Sequence, residues 1–477
     1  MSIKKSLKVI ANPSVSAWVY NVIQIGSIVF ILPLILKQFS VVEVSFWLLL
    51  ATISGFALLT DLGFSNTLIR CVSLFKAGVA ELPEDVVGEE LKDETSPQIN
   101  YDGLLRLLKT IKFVYTIINL SCLILIILFG ISLCYNLFSL TDDKTNLFLA
   151  FGITCLYSTI NVASSMWASY TQGLGLIYKI NYVKIITGSI KLLLLIVLLL
   201  FGLKLWILTL VLLTEASVNY YIARKIVLDF FKDSFVKYDL KDYKYDSHIF
   251  KVLWKPTWKM AGMKLGGYLI NQGNTIVIAQ IPNPTVIASF MFTKKMLDFL
   301  ITISMVPFSV NLNHIYADFV SKNALDFRKE VSVVIFIGLS IFTLGSLSIG
   351  LLGNDILKLA HINSFILDNP AFGLLALTAL LEIHHLMHGG IYMATNKVPF
   401  LIPAIVSGLL ILGLGFIFVS KVDVLGLILI QFFVQLALNN WYAVYLSLKL
   451  MKWPFKEYLY EMPVYGFQGL KSFVKKR

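Results

Sequence analysis

Residues 191–207 read KLLLLIVLLLFGLKLWI, with Lys191 and Lys204 the only charges in the stretch. A run this long and this apolar belongs in lipid. Lipid offers the backbone no hydrogen-bond partners, so such a segment is either a helix or part of a closed barrel. Barrel strands alternate apolar and polar positions, and this stretch does not. Its character is that of the whole chain: 57% of the 477 residues are hydrophobic and 14% are charged, whereas soluble domains carry about 25% charged residues. The expected fold class is an all-α polytopic membrane protein.

Outward from that stretch, runs of about 20 apolar residues fall at 15–36, 44–64, 108–135, 147–170, 181–202, 205–224, 259–281, 286–309, 331–353, 371–394, 399–420 and 424–449, twelve segments in all. The first follows a basic N-terminus, Met1 to Lys8. It exceeds the apolar region of a signal peptide, about 7–15 residues, and reads as an uncleaved helix.

Lysines and arginines set the orientation. Arg70, Lys76, Arg106, Lys109, Lys112, the stretch Arg224 to Lys259, Lys322, Arg328, Lys329 and the stretch Lys449 to Arg477 fall on one side of the membrane. The other side holds only Lys37, Lys144, Lys204, Lys358 and Lys421. This bias places both termini in the cytoplasm. It also accounts for the net charge of +12 without nucleic acid, because the basic residues border apolar segments and form no patch with interleaved aromatics. One loop on the basic side is acidic, with Glu81, Glu84, Asp85, Glu89, Glu90, Asp93 and Glu94. It reads as a solvated, mobile loop, with partner binding as the alternative. Cys71, Cys122, Cys134 and Cys155 lie in or beside apolar segments without metal-ligand spacing, so they read as packing residues.

The two halves echo each other. At one constant offset, Tyr20 matches Tyr268, Gln24 matches Gln272, Ser27 matches Thr275, Ile28 matches Ile276 and Val29 matches Val277. At a second offset, Ser45, Phe46, Phe64, Ser65 and Leu68 match Ser289, Phe290, Phe308, Ser309 and Leu312. Ala150-Phe151-Gly152 and Ala371-Phe372-Gly373 open corresponding segments. Six helices per half keep both halves in one orientation, related by a pseudo-two-fold axis along the membrane normal, with alternating access as the implied mechanism. The expected organisation is a six-helix lobe over 1–224, a cytoplasmic linker over 225–258, a second six-helix lobe over 259–449 and a basic cytoplasmic tail over 450–477.

Polar side chains inside the membrane mark cavities or helix contacts. Lys264, Tyr268, Gln272 and Thr275 share one helix face, as do Tyr20, Gln24 and Ser27 in the first segment. Both stripes suit a substrate cavity; hydrogen-bonding between helices is the bland reading. Lys294, Lys295 and Asp298 fall near mid-depth, about 12–18 Å along their helix. Lys294 and Asp298 are spaced to neutralise each other, which leaves a surplus cation suited to an anionic headgroup. The alternative is a buried structural pair beside a snorkelling lysine. Lys191 and Glu215 sit at similar depth on neighbouring segments and are placed to pair. Glu382, His384, His385 and His388 form a titratable cluster that could relay protons. Glu382, His385, Glu215 and Lys191 are therefore the candidates for ion coupling, with H+ or Na+ as the coupling ion, and helix packing as the plainer alternative. His384 and His388 have metal spacing but no third ligand, so no metal or cofactor is expected. Asp61 and Arg70 are candidate inner-gate residues, with Gly63 between them permitting a bend. No nucleotide-binding loop, catalytic triad or loop-borne carboxylate pair is present.

The stretch FWLLLATISGFALLTDLGFSNTLIR (46–70) and its echo FMFTKKMLDFLITISMVPFSVNLNHIY (290–316) resemble the polysaccharide flippases. These are the Wzx-type O-antigen and capsule-unit transporters of the multidrug/oligosaccharidyl-lipid/polysaccharide exporter superfamily. The resemblance covers essentially the whole chain in length, helix count and two-lobe layout, its best local motif being Asp61 to Arg70. It implies a V-shaped bundle whose first, second, seventh and eighth helices line a basic cavity, matching Gln24, Lys264, Gln272, Lys294 and Lys295. The implied substrate is an undecaprenyl-pyrophosphate-linked oligosaccharide repeat, flipped across a bacterial cytoplasmic (inner) membrane for surface polysaccharide such as lipopolysaccharide, driven by ion exchange. The implied partners are that lipid-linked substrate, membrane lipids and the polysaccharide polymerase machinery. A multidrug or metabolite antiporter of the same superfamily is the first alternative, disfavoured by the lysine surplus. A membrane glycosyltransferase or polymerase would need a sizeable outer loop, and the longest expected, near Asn354 to Pro370, is short. A non-transporting scaffold would not need charges at mid-depth.

Overall fold

The computed structural model describes residues 19, 23, 26, 30–82, 98–232, 243–321, 323–359, 361–362, 366–395 and 399–475, with the side chains of 313, 317, 320, 321 and 472–475 excepted. Tyr20, Gln24 and Ser27, the stripe expected on the first segment, lie outside the described residues, as do the acidic-loop residues from Glu84 to Glu94. Among the described residues every regular element is helical. Among the described residues nine helices are long and apolar enough to cross a membrane. The expected first span falls mostly outside the described residues, and the seventh and eighth are helical but carry too many polar groups to meet that measure. The chain is a multi-pass membrane protein and divides into two compact units, Met1–Leu265 and Gly266–Arg477.

The first unit holds α1 (30–38), α2 (Val41–Leu59), α3 (Phe64–Lys76), α4 (Tyr101–Leu140), α5 (Lys144–Gly173), α6 (Ile177–Leu200), α7 (Leu205–Lys232) and the first part of α8 (Ser247–Ile278). The expected single helix over 44–64 is instead broken at Thr60–Gly63, where Leu62 (φ 53°) and Gly63 (φ 86°) both adopt left-handed backbone. Gly63 is required there twice over, since a Cβ would also stand 2.8 Å from Met260 Cβ. One end of the unit is tied by a small polar network. Ser40 and Glu43 form a capping box at the start of α2, and Asn146 donates to Glu43 Oε1 at 2.8 Å while accepting from the Trp206 amide at 3.2 Å. Beside it Asp143 caps α5 and pairs with Lys204 at 2.7 Å. The Lys204 bond, then the Asn146 amide, hold the Asp143 carboxyl below its ordinary range. At the other end Asp246 caps α8 and pairs with Arg106 at 3.4 Å.

The second unit holds the rest of α8, then α9 (Pro284–Ser304), α10 (Val306–Ser321), α11 (Ala324–Leu359), α12 (Asn369–Tyr392), α13 (Leu401–Phe418), α14 (Val424–Val434), a π-helical turn (Gln435–Asn439), α15 (Asn440–Leu450) and α16 (Phe455–Lys475). Three expectations need correcting. The helix expected over 286–309 pauses at Met305, between α9 and α10; α11 runs on to Leu359, which shortens the loop expected from Asn354; and the tail 450–477 contains a helix, α16. Tyr458 and the α16 glycines explain the last: Tyr458 is 1% exposed, and Gly466 and Gly469 let α16 pack closely on Phe336 and Val333 of α11. The apolar residues of α16 are interspersed with charged ones, so no apolar run of span length marks it.

Within this unit α8 and α13 meet along a seam of small residues. A Cβ at Gly266 would stand 2.6 Å from the Ala404 carbonyl carbon, at Gly273 2.9 Å from Ile411, at Gly408 2.6 Å from Leu269 and at Gly415 2.7 Å from Val277. In lipid, where apolar burial drives little association, such close backbone approach supplies the dispersion contact that holds helices together. Gly266→Val should therefore cost about 1–3 kcal/mol by overpacking, measured as a lower unfolding midpoint in detergent. An unchanged midpoint would show that the seam is not a packing constraint.

Candidate functional site

In the first unit the break after α2 aims Asp61 inward, 5% exposed. Its Oδ1 accepts from the Ser65 hydroxyl at 2.9 Å, from Ser165 at 3.4 Å and, in a short bond, from Tyr115. Its Oδ2 accepts from the Ser65 amide at 3.4 Å and from Lys264 Nζ at 3.5 Å. The carboxylate thus sits at the N-terminal turn of α3, where amide donors and the helix dipole favour negative charge. Thr67 and Thr257 bond at 3.2 Å, and the Phe64 ring packs at a tilt against Trp254, so the break and the start of α8 pack as one piece. Sequence reasoning assigned Asp61 and Arg70 to one gate; the structure brings Asp61 to Lys264, while Arg70 is exposed on the far side of α3. Lys191 and Glu215 pair at 2.9 Å, each about one-tenth exposed, between α6 and α7.

In the second unit Lys294 lies ten residues into α9, about 15 Å along its axis. Its ammonium donates to Asn271 Oδ1 at 2.7 Å and to both oxygens of Asp298 at 3.0 Å. These groups line a small cleft of about 30 Å³ together with Glu382 of α12 and Gln431 of α14. Asn274 anchors Gln431, donating to its Oε1 at 2.7 Å and to the Leu427 carbonyl at 3.2 Å, and Gln431 donates to the Ile270 carbonyl at 3.2 Å. Lys295, the next residue, is half-buried in the field of Asp298 and Lys294. Of the α8 stripe, Lys264 belongs to the first unit, Tyr268 and Gln272 are half-buried in the second, and Thr275 is 1% exposed. The α8 side chain that reaches the cleft is a neighbour, Asn271, while Asn274 holds the lining residue Gln431.

Glu382 was grouped with the histidines by sequence. The structure turns it toward Lys294, Asp298 and Gln435 instead, whereas His384 and His388 gather on α16. The Tyr458 hydroxyl lies 2.6 Å from His384 Nε2 and 3.0 Å from His388 Nε2, and His388 Nδ1 meets the Ser447 hydroxyl. His385 faces the Asn439 backbone, and its Nδ1 has no protein partner. The residues missed were Gln431, Gln435, Asn439 and Tyr458. The first three were visible as amides repeating every fourth position within the last span.

No protein-family model matches the sequence, and no curated protein is significantly similar to it. Solved structures with the same fold are membrane transporters. They include the lipid II flippase MurJ in an inward closed conformation (14% identity, 97% of this chain and 92% of that chain, TM-score 0.63). A multidrug resistance MATE family transporter of the MOP superfamily, inward-facing, matches at 12% identity over 91% of this chain and 95% of that chain, with a TM-score of 0.61. A MOP superfamily transporter from Pyrococcus furiosus, described as having a binding pocket of reverse polarity, matches at 14% identity over 94% and 95%, with a TM-score of 0.57. The fold is thus that of the MOP superfamily transporters, and at these identities the likeness is one of fold.

Asp61→Ala should destabilise the first unit by about 3 kcal/mol, because it strands buried donors. Lys264→Met should cost about 1 kcal/mol or less, because its ammonium is a third exposed. Thermal unfolding of both purified variants checks the order; a reversed order would mean that Lys264, not the hydroxyl cage, fixes Asp61.

Proposed function

We propose that this protein flips a polyprenyl-pyrophosphate-linked oligosaccharide repeat unit from the cytoplasmic to the outer leaflet of a bacterial inner membrane, by alternating access, for surface polysaccharide such as O-antigen. The termini lie in the cytoplasm, as the lysine distribution indicates, and the repeat is handed on to the polymerase machinery. The observation that carries this reading is the lysine pair Lys294 and Lys295 in the interior of a helix, lining and flanking a cleft. Intramembrane cations are retained where an anion must be met, and ammonium groups bind phosphates as compact point charges. Lys264 in the first unit is the third such cation, its partial exposure leaving it accessible. Among fold relatives, one is described as a lipid II flippase, which supports a lipid-linked substrate. Others are multidrug transporters, but cationic drugs would meet the same lysines unfavourably.

Deleting the gene in its host should abolish surface glycan and trap complete repeat units on the cytoplasmic leaflet. The double variant Lys294→Met, Lys295→Met should fail to restore glycan at normal protein level. Normal glycan with altered tolerance of cationic drugs would instead establish the antiporter, and unpolymerised repeats stranded outside would establish an enzyme.

A further inference from the structure

We propose that the outward face of α16 is a docking surface for anionic phospholipid: its apolar side chains enter the leaflet at the basic end of the second unit, and its lysines meet the headgroup phosphates. The helix starts from a fixed turn. After α15 the chain reverses through Lys452, whose backbone is left-handed (φ 51°). Arg328 of α11 holds that turn, donating to the Met451 carbonyl at 3.2 Å and to the Lys452 carbonyl, with its guanidinium 5.4 Å from the centre of the buried Trp453 ring. Tyr458 then pins the helix through His384 and His388 of α12. Glu457 faces Arg328 at 3.9 Å, Gly466 meets Phe336 and Gly469 meets Val333, so α16 packs within 328–336 of α11, about 12 Å of that helix's length. Arg328 and Lys329 precede the apolar run of α11, which begins at Val331. That sets α16 where the run begins, at the boundary between acyl chains and headgroups.

The outward face is apolar, and its charges sort by sign. Phe455, Leu459, Tyr460, Val464 and Phe467 are each at least half exposed. Both carboxylates of α16 turn to the protein: Glu461 accepts from the Trp453 indole at 2.8 Å, and Glu457 faces Arg328. The cations turn outward. Lys456 and Lys471 are exposed, the Lys471 ammonium 4.6 Å from the centre of the Phe467 ring, and the sequence adds Lys475, Lys476 and Arg477. A helix of this kind lies in a membrane surface, with apolar side chains sunk to the acyl boundary and lysine stems reaching up to the phosphates. α15 continues the belt: Trp441 and Tyr445, four residues apart, are about half exposed, and Lys449 lies 6.0 Å from the Tyr445 ring centre. Aromatic and basic side chains together mark an interface. A neutral lipid would satisfy the apolar row and not the lysines, and an acidic soluble partner the reverse; an anionic lipid satisfies both.

Lipid quenching on the full-length protein in bilayers tests this. Cys71, Cys122, Cys134 and Cys155 are buried, so Gln468→Cys, at an exposed position of α16, takes a bimane label selectively. Brominated phosphatidylglycerol should quench the label at a several-fold lower mole fraction than brominated phosphatidylcholine. Combining Lys456→Gln with Lys471→Gln should reduce that preference about fivefold per lysine, and raised salt should reduce it as well. Equal quenching by the two lipids, or an undiminished preference in the double variant, would overturn the proposal. So would weak quenching by both lipids with disulfide cross-linking between Gln468→Cys chains, which would make this face an interface between copies.

Discussion

The rest of the structure depends on one constraint: a charge inside a membrane-spanning helix must be answered by the protein, because lipid will not answer it. Lys294 is the clearest case. Its ammonium is met by Asn271 and by both oxygens of Asp298, and that requirement fixes how α8 and α9 stand to each other within the second unit. Asn274, Gln431 and the Ile270 carbonyl extend the same bonding to α14. Asp61 is the counterpart in the first unit, where hydroxyls from three helices and the first turn of α3 surround one carboxylate. The small-residue seam between α8 and α13 then supplies the packing that apolar burial cannot supply in lipid.

These polar centres differ in what they leave over. Asp61 is acceptor to several neutral donors and one lysine, so it is satisfied without a ligand. The second unit gathers Lys294, Asp298 and Glu382 around a cleft, with Lys295 the next residue along the helix. His384 and His388, by contrast, are held by Tyr458 and Ser447, which ties α12 to α16 and makes α16 a packed terminal helix.

Much of the fold was legible in the sequence, because long apolar runs such as 191–207 have one stable solution in lipid. The Lys294–Asp298 and Lys191–Glu215 pairs were legible too, the first from i, i+4 spacing and the second from shared depth. What could not be read was partnership between helices that are not neighbours in the chain. Nothing in the spacing of Asp61 and Arg70 reveals that a left-handed pair at Leu62 and Gly63 swings Asp61 toward Lys264. Likewise Glu382 sits three residues from His385 in sequence, yet its side chain turns to α9. α16 escaped because its apolar residues are interspersed with lysines and a proline, and its burial is decided by Tyr458 and two glycines rather than by length.

The central claim is that the buried lysines serve a pyrophosphate-linked sugar. Its most direct test is to reconstitute the purified protein in vesicles whose inner leaflet carries a fluorescent polyprenyl-pyrophosphate oligosaccharide, and to follow exposure of the sugar to an external lectin. The account predicts protein-dependent exposure that is lost when Lys294 and Lys295 are both replaced by methionine. Exposure at the rate of empty vesicles, or equal exposure with both lysines removed, would contradict it.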